Sequence, residues 1–257
     1  MKRKVSSSKT ALQKSAKVQK LASLEEKSAE FIATKLSELE RAVLWLYTYE
    51  SFRLINQCLR DFDNYYSLLD FTMPLHAFPG GLVLKEKLKI EYKNPNWELT
   101  IRQAIAMLVD IMSRAPKTVD DQLVLWRGMN IDMFDGESSQ RELGFMSTTS
   151  VLRHAVMFAN AVLLVKTGKI QTQAAETVLK IQVPNNTPVL ALTTASAHPS
   201  ECEWLLGPNL LLTCIKKCQV SDGVNGYQVK IDQLPKKIHK LLNDFPACQK
   251  VCAIETS

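Results

Sequence analysis

The 257-residue chain has no apolar run long enough to cross a bilayer. The longest nearly uncharged apolar stretch of its middle region, Val156 to Val165, is ten residues, against about 20 for a spanning helix. No membrane association is therefore expected. Acid is missing from residues 1–20, which carry seven bases (Lys2, Arg3, Lys4, Lys9, Lys14, Lys17 and Lys20). This basic start is followed by no apolar h-region, so it does not read as a secretory signal. Removing those seven from the 32 bases leaves 25 against 26 acids, so the body is neutral although the formal net charge is +6. A neutral body excludes a fold that grips a phosphate backbone along its length. Any contact with nucleic acid is confined to the basic tail, whose Lys2-Arg3-Lys4 reads either as a nuclear address or as a solvated arm.

Cysteine is sparse: Cys58, Cys202, Cys214, Cys218, Cys248 and Cys252. With no signal peptide, this sets the expectation of reduced thiols in an intracellular protein. No metal site is expected. The pairs Cys214/Cys218 and Cys248/Cys252 are spaced four apart, about 13 Å along a strand, too far for two thiolates on one ion. His76, His154, His198 and His239 show no metalloprotease spacing. The sequence also lacks G-x-G-x-x-G after a strand, G-x-x-x-x-G-K, and any repeat of solenoid period, which argues against Rossmann, P-loop and solenoid folds.

What is present is ordinary globular composition, 46% apolar and 23% charged. From Leu21 to Leu69 apolar residues recur at helical steps, among them Leu36, Leu39, Val43, Leu46, Ile55 and Leu59. Met73 to Gly81, with Pro74, Pro79, Gly80 and Gly81, reads as a loop. A helix is predicted over Thr100 to Arg114, ending before Pro116. Beyond Gln122 short β-prone runs take over: Val124–Trp126, Thr177–Val183, Val189–Leu192, Glu203–Leu206, Leu210–Cys214 and Gly226–Ile231. One helix, Val151 to Val165, interrupts them, and Pro235 to Leu242 reads as a basic closing helix. The expected fold is α+β, with N-terminal helices packed on a mostly antiparallel β core. The expected organisation is a flexible basic tail (1–20), a domain over 21–235 with a helical part (21–115) and a β-rich part (120–232), and a C-terminal basic segment (236–257).

Three segments of the second half carry chemistry. In Leu125-Trp126-Arg127-Gly128-Met129 an apolar strand ends in arginine and glycine. That is either a surface arginine at a turn or a guanidinium fork for phosphate beside a backbone that a ligand can approach. In Gly144-Phe145-Met146-Ser147-Thr148-Thr149-Ser150, four hydroxyls follow an apolar pair. They read as a strand edge, as a helix N-cap at Ser150, or as a row of hydroxyls facing a polar ligand. Strand alternation puts Ser147 and Thr149 on one face and Thr148 on the other. In Pro199-Ser200-Glu201-Cys202-Glu203-Trp204, two acids stand two apart before an apolar run. A strand would aim both the same way, whether as a solvated strand entrance or around a developing positive charge.

In this order, the arginine, the F-x-S-T-T segment and E-x-E resemble the ADP-ribosyltransferases of the R-S-E class, the superfamily of the bacterial ADP-ribosylating toxins. Upstream, Leu46-Tyr47-Thr48 through Phe52, Ile55, Asn56, Leu59 and Arg60 is similar to the helical segment before the arginine in toxin-like members. The likeness spans residues 40 to 220. It implies a two-sheet β core of the ADP-ribosyltransferase type. It also implies an enzyme that cleaves the nicotinamide–ribose bond of NAD as its substrate and transfers ADP-ribose to a protein side chain. Glu203 would stabilise the ribose cation, Arg127 hold the phosphates, and the Gly128 backbone read the nicotinamide amide. Ser147 would orient Glu203, with Thr149 supporting the pocket wall. Glu201 resembles the acceptor-selecting residue of arginine-modifying members, so arginine is the implied acceptor. Asn56 and Arg60 would reach the adenine side and Phe158 would pack on nicotinamide.

The sequence departs from the family at Ala161, where an arginine is frequent. The loop Thr193 to Ser200 has His198 as its one large ring, and the middle motif ends in threonine. Alternatives to a transferase are an inactive NAD-binding scaffold and an NAD glycohydrolase. The implied partner is a host-cell target protein and the expected state is a monomer. The expected setting is inside a cell, after delivery into a host, or on a virion.

Overall fold

The computed structural model describes residues 5–83, 97–121, 123–129, 134, 136–161, 177–221 and 224–233. No glycine or proline occurs before Pro74, and residues 5–69 fold accordingly as consecutive helices. The first, α1 (Val5–Lys35), runs through position 20 unbroken. Residues 5–20, expected as a flexible arm, are thus helical, because their Ala, Leu, Lys and Gln content favours the helix they extend. α1 docks by its later turns: Leu24, Phe31 and Ile32 are buried, and the Ser28 hydroxyl accepts the Ala191 N–H (3.1 Å).

Ser37 caps α2 (Glu38–Leu46) in a capping box with Glu40. A π-helical turn, Tyr47–Ser51, joins it to α3 (Phe52–Arg60), and α4 (Phe62–Leu69) follows. The stretch expected as a loop contains a short strand, β1 (Thr72–Pro74), paired antiparallel with β2 (Glu98–Thr100). Thr100 then caps α5 (Ile101–Arg114), the helix expected over Thr100 to Arg114.

The remaining strands are β3 (Val124–Met129), β4 (Ser139–Glu142), β5 (Met146–Thr149), β6 (Thr177–Gln182), β7 (Val189–Ala191), β8 (Glu203–Leu206), β9 (Leu210–Ser221) and β10 (Val224–Gln233). They connect in the order β4-β9-β10-β6-β3-β5-β8-β7. Every pairing is antiparallel except β6 with β10. β3 meets β5 at one registered pair only, Trp126 with Thr149. The chain therefore has two sheet halves, β4-β9-β10-β6-β3 and β5-β8-β7, hinged at that pair. Between them lies a core of Leu125, Met146, Leu179, Ile181, Trp204, Leu206, Leu212 and Val229. The opposite face of the three-stranded half, through Leu190 and Leu205, packs with Phe145 on Leu44, Ile55, Leu108 and Ile111 of the helices. The expected α+β architecture is thus present, with the expected two-sheet β core realised as one eight-stranded sheet whose two halves remain joined at the Trp126–Thr149 pair.

α6 (Leu152–Ala161) lies on the outer face of β3, packing Ala155 and Ala159 near Trp126 and Val178. Gly128 permits this approach. A Cβ there would stand 1.9 Å from the Ala155 carbonyl oxygen and 2.6 Å from the Ala159 nitrogen. Both are backbone atoms that only a shift of the helix can relieve. Gly128→Ala is accordingly expected to lower the unfolding free energy by about 3 kcal/mol. Urea denaturation with an unchanged m-value would check this.

Candidate active site

Three consecutive residues of the π-helical turn reach three parts of one cleft. π turns insert a residue into a helix and re-aim its side chains. The Tyr47 ring is fully buried. Its phenol donates to the Phe145 carbonyl (3.4 Å) and receives the Asn56 amide N–H (3.1 Å), and the nearby Ser147 hydroxyl favours its charged form. Thr48 donates to the Trp45 carbonyl (2.8 Å) and accepts the Ala197 N–H (3.0 Å). Tyr49 stacks between Trp45 (centroids 5.3 Å apart) and His198 (5.8 Å). The helices thereby hold both β5 and the loop that precedes Glu201.

Asn56, expected near the adenine, is buried and fully occupied. Its amide oxygen accepts the Phe145 N–H (2.8 Å) and its nitrogen donates to the Phe145 carbonyl (3.1 Å). It clamps the backbone where the chain enters β5. Ser147 and Thr149 do share the face of β5 turned to the helices, and the Thr148 hydroxyl donates to the Trp204 carbonyl (2.8 Å). Thr149 is committed to structure: it donates to the Glu201 carbonyl (2.9 Å) and accepts the Val151 N–H (3.1 Å) at the start of α6.

Glu201 and Glu203 do not share a strand face as expected. Glu201 ends a 3-10 turn, Pro199–Glu201, and β8 begins only at Glu203. Between them Cys202 is left-handed (φ 49°), a conformation that costs a non-glycine residue about 1 kcal/mol. The kink leaves Glu201 partly exposed and Glu203 buried. Glu203 lies on β8 beside β5, which carries Ser147; the Ser196 hydroxyl donates to its Oε2 (3.4 Å), and the Ser147 hydroxyl also favours its charged form. Burial first, and the Glu201 charge second among the raising effects, push the Glu203 carboxyl up to about 7. Burial also raises Glu201, opposed by His198 and His154. Burial lifts the Tyr47 phenol to about 12.

Arg127 stands on the interior face of β3 where the sheet halves part. Its Nη1 donates to the Ser147 carbonyl (3.4 Å) and its Nη2 lies 3.8 Å from Glu142 Oε2. Burial pulls the guanidinium below its ordinary pKa, an effect the adjacent Glu142 opposes. Glu142 also takes both ends of an Arg60 fork, Nε on Oε1 and Nη2 on Oε2, each at 2.9 Å. Arg60 thus lies on the Arg127 side of the cleft. Phe158 and its neighbour Met157 are exposed on α6, away from the core.

The fold therefore assembles Arg127, Ser147 and Glu203 around Tyr47, whose phenol senses the charges of both Glu203 and Arg127. Sequence reasoning assigned no role to Tyr47, Ser196 or Glu142. Tyr47 stood in a quoted motif, whereas nothing local marks an acid two residues before Gly144. A separate cavity of about 490 Å³ lies behind β3, bounded by Leu24, Lys27, Leu123, Val124, Trp126 and Lys180 among others; Arg127, Ser147 and Glu203 do not line it. Among the described residues no group of three or more His, Cys, Asp or Glu could hold a metal ion. Cys214 and Cys218 both lie on β9, and Cys248, Cys252 and the segment from Pro235 lie outside the described residues.

No family model matches the sequence, and no curated protein is similar to it in sequence. Solved structures are similar in fold. Vis, an ADP-ribosyltransferase toxin from Vibrio splendidus, is 13% identical with a TM-score of 0.55 over 87% of each chain. Plx2a, an ADP-ribosyltransferase toxin from Paenibacillus larvae, is 13% identical with a TM-score of 0.53, covering 85% of this chain and 97% of its own. The C3 exoenzyme of Clostridium limosum is 15% identical with a TM-score of 0.51, covering 84% and 95%. The fold is that of the toxin-like ADP-ribosyltransferases.

The buried Glu203 has a consequence for stability. A carboxyl raised on folding contributes stability that is complete below its ordinary value of 4.5 and is lost as pH rises through about 7. Glu203→Gln is expected to be more stable than the parent at pH 8, by an amount on the order of 3 kcal/mol. The difference should vanish near pH 4. Chemical denaturation of both proteins across this range measures it.

Proposed function

We propose that this chain is a mono-ADP-ribosyltransferase that cleaves the nicotinamide–ribose bond of NAD and transfers ADP-ribose to an arginine of a host-cell protein. The observation that carries the reading is the convergence of Arg127, Ser147 and the buried Glu203 in one cleft of the ADP-ribosyltransferase fold. The residues suit the reaction. When the glycosidic bond breaks, its electron pair leaves with nicotinamide, neutralising the pyridinium and leaving positive charge on the ribose. A carboxylate in a water-poor site stabilises that charge strongly. Glu203, ionised, accepts the ribose hydroxyl proton as a hydrogen bond while Ser147 and Ser196 hold its orientation. Arg127 offers a fork for the phosphates.

Glu201 supports arginine as acceptor. It stands at the mouth of the site, less buried than Glu203, and its carboxylate can pair with an incoming guanidinium and take the proton released on attack. Vis, similar in fold, has been solved with agmatine, a guanidinium compound.

Incubation with labelled NAD, agmatine and a host-cell extract tests this. The parent protein should release nicotinamide and label agmatine and one or a few proteins. Glu203→Gln should lose about 10²–10³-fold in both, the magnitude for removing one electrostatic stabiliser. Glu201→Gln should retain NAD hydrolysis and lose transfer to agmatine. Because Glu203 acts ionised, nicotinamide release should rise with pH through about 7. Absence of nicotinamide release by the parent would sink the proposal, and labelling confined to non-arginine residues would sink its acceptor.

A further inference from the structure

We propose that Glu142 is a positioning residue that binds Arg60 and Arg127 into one two-guanidinium clamp for the substrate's pyrophosphate. The assignment rests on the reading of the site given above. Glu142 closes β4, the edge strand of the five-stranded half, and its side chain is 5% exposed. Its two oxygens serve three elements. Oε1 accepts Arg60 Nε (2.9 Å) from the end of α3 and the Gly144 N–H (2.8 Å) on the approach to β5. Oε2 accepts Arg60 Nη2 (2.9 Å) and faces Arg127 Nη2 of β3 (3.8 Å).

This arrangement solves an electrostatic problem. Two guanidiniums close enough to repel are held in a partly desolvated cleft, and Arg60 is among the charges that depress Arg127. An acid between them makes the juxtaposition tolerable, since a buried charge without a partner costs several kcal/mol. The trio carries one net positive charge, so it is stable empty and still attracts an anion. Arg60 spends its Nε–Nη2 edge on Glu142 and its side chain is 44% exposed, which leaves Nη1 free of the fork. Arg127 is anchored from behind by Glu142 and by the Ser147 carbonyl. A pyrophosphate, with charge on two adjacent phosphates, is the ligand that two fixed neighbouring guanidiniums match.

The test compares the full chain with Glu142→Gln, which keeps the shape and removes the charge, and with Arg60→Lys, which keeps the charge and removes the fork. Calorimetry with ADP, which has the pyrophosphate, and nicotinamide, which does not, separates clamp from general damage. Both variants should bind ADP about ten-fold or more weaker, the loss of a charge-assisted hydrogen bond. Nicotinamide affinity should be unchanged. In steady state the KM for NAD should rise by a similar factor with kcat within about three-fold. Combining the two substitutions should add little to either alone, because both break one clamp. Unchanged ADP affinity in both variants would overturn the proposal. So would tighter ADP binding in Glu142→Gln, since the acid would then compete with phosphate. Equal losses for ADP and nicotinamide, or in KM and kcat, would reduce Glu142 to a structural residue and overturn it too. Should Glu142→Gln fail to fold, Arg60→Lys alone decides. A parent protein that binds neither NAD nor ADP would instead refute the reading of the site itself, a result distinct from any of these.

Discussion

β3 and β5 pair at Trp126 and Thr149 and then separate, and the site exists because of that separation. Had the ladder continued, the β5 segment would have lain against Arg127, Gly128 and Met129, leaving no cleft between the sheet halves. Where they part, Arg127 from one half faces Ser147 from the other. Holding such a gap open costs packing, so the chain has to brace it from outside. The helical layer braces one side through Tyr47 and Asn56, whose polar groups fasten Phe145. The outer helix α6 braces the other by lying directly on Gly128.

The price of the cleft is a set of charges and a strained turn in a desolvated place. Glu203 is pushed toward neutral pH by its burial, and only two serine hydroxyls oppose this by favouring its charged form. Cys202 is left-handed so that Glu203 can enter β8 while Glu201 stays outside. Two arginines share one acid. Each feature costs folding stability, and their concentration in one cleft is what a preorganised electrostatic site requires. The helical half offsets part of that cost with an apolar interior running from Leu44 to Met112.

Much of this was legible in the chain. Helical periodicity, the Pro116 stop beyond Arg114 and β-prone runs such as Glu203–Leu206 are local signals, and the elements they predict are present. Strands β4 and β5 were harder to see. β4 (Ser139–Glu142) is polar, because an edge strand needs only one apolar neighbour. The hydroxyls of β5 compete with a cap reading of the same residues. The helical state of residues 5–20 follows from their helix propensity, a signal that their run of like charges masks. For the site, the order of arginine, serine and glutamate along the chain singles out candidate side chains that the fold brings together, while their partners are hidden in it. Asn56, expected near the adenine side, and Thr149, expected in the pocket wall, both hold backbone.

The amino-acid sequence by itself determined the class of fold and the neutral body with a basic start, and its ordered motifs single out Arg127, Ser147, Glu201 and Glu203 as the candidates that the family resemblance implies. These follow from periodicity, residue type and order, all properties of neighbours along the chain. Tertiary structure alone decided that the two glutamates are divided by a left-handed residue, and that Tyr47 joins the cluster. It alone decided that Glu142 sits between Arg60 and Arg127, 82 residues from the first of them. Burial and charge pairing across such distances depend on which surfaces meet when the layers close, and no local pattern carries that information.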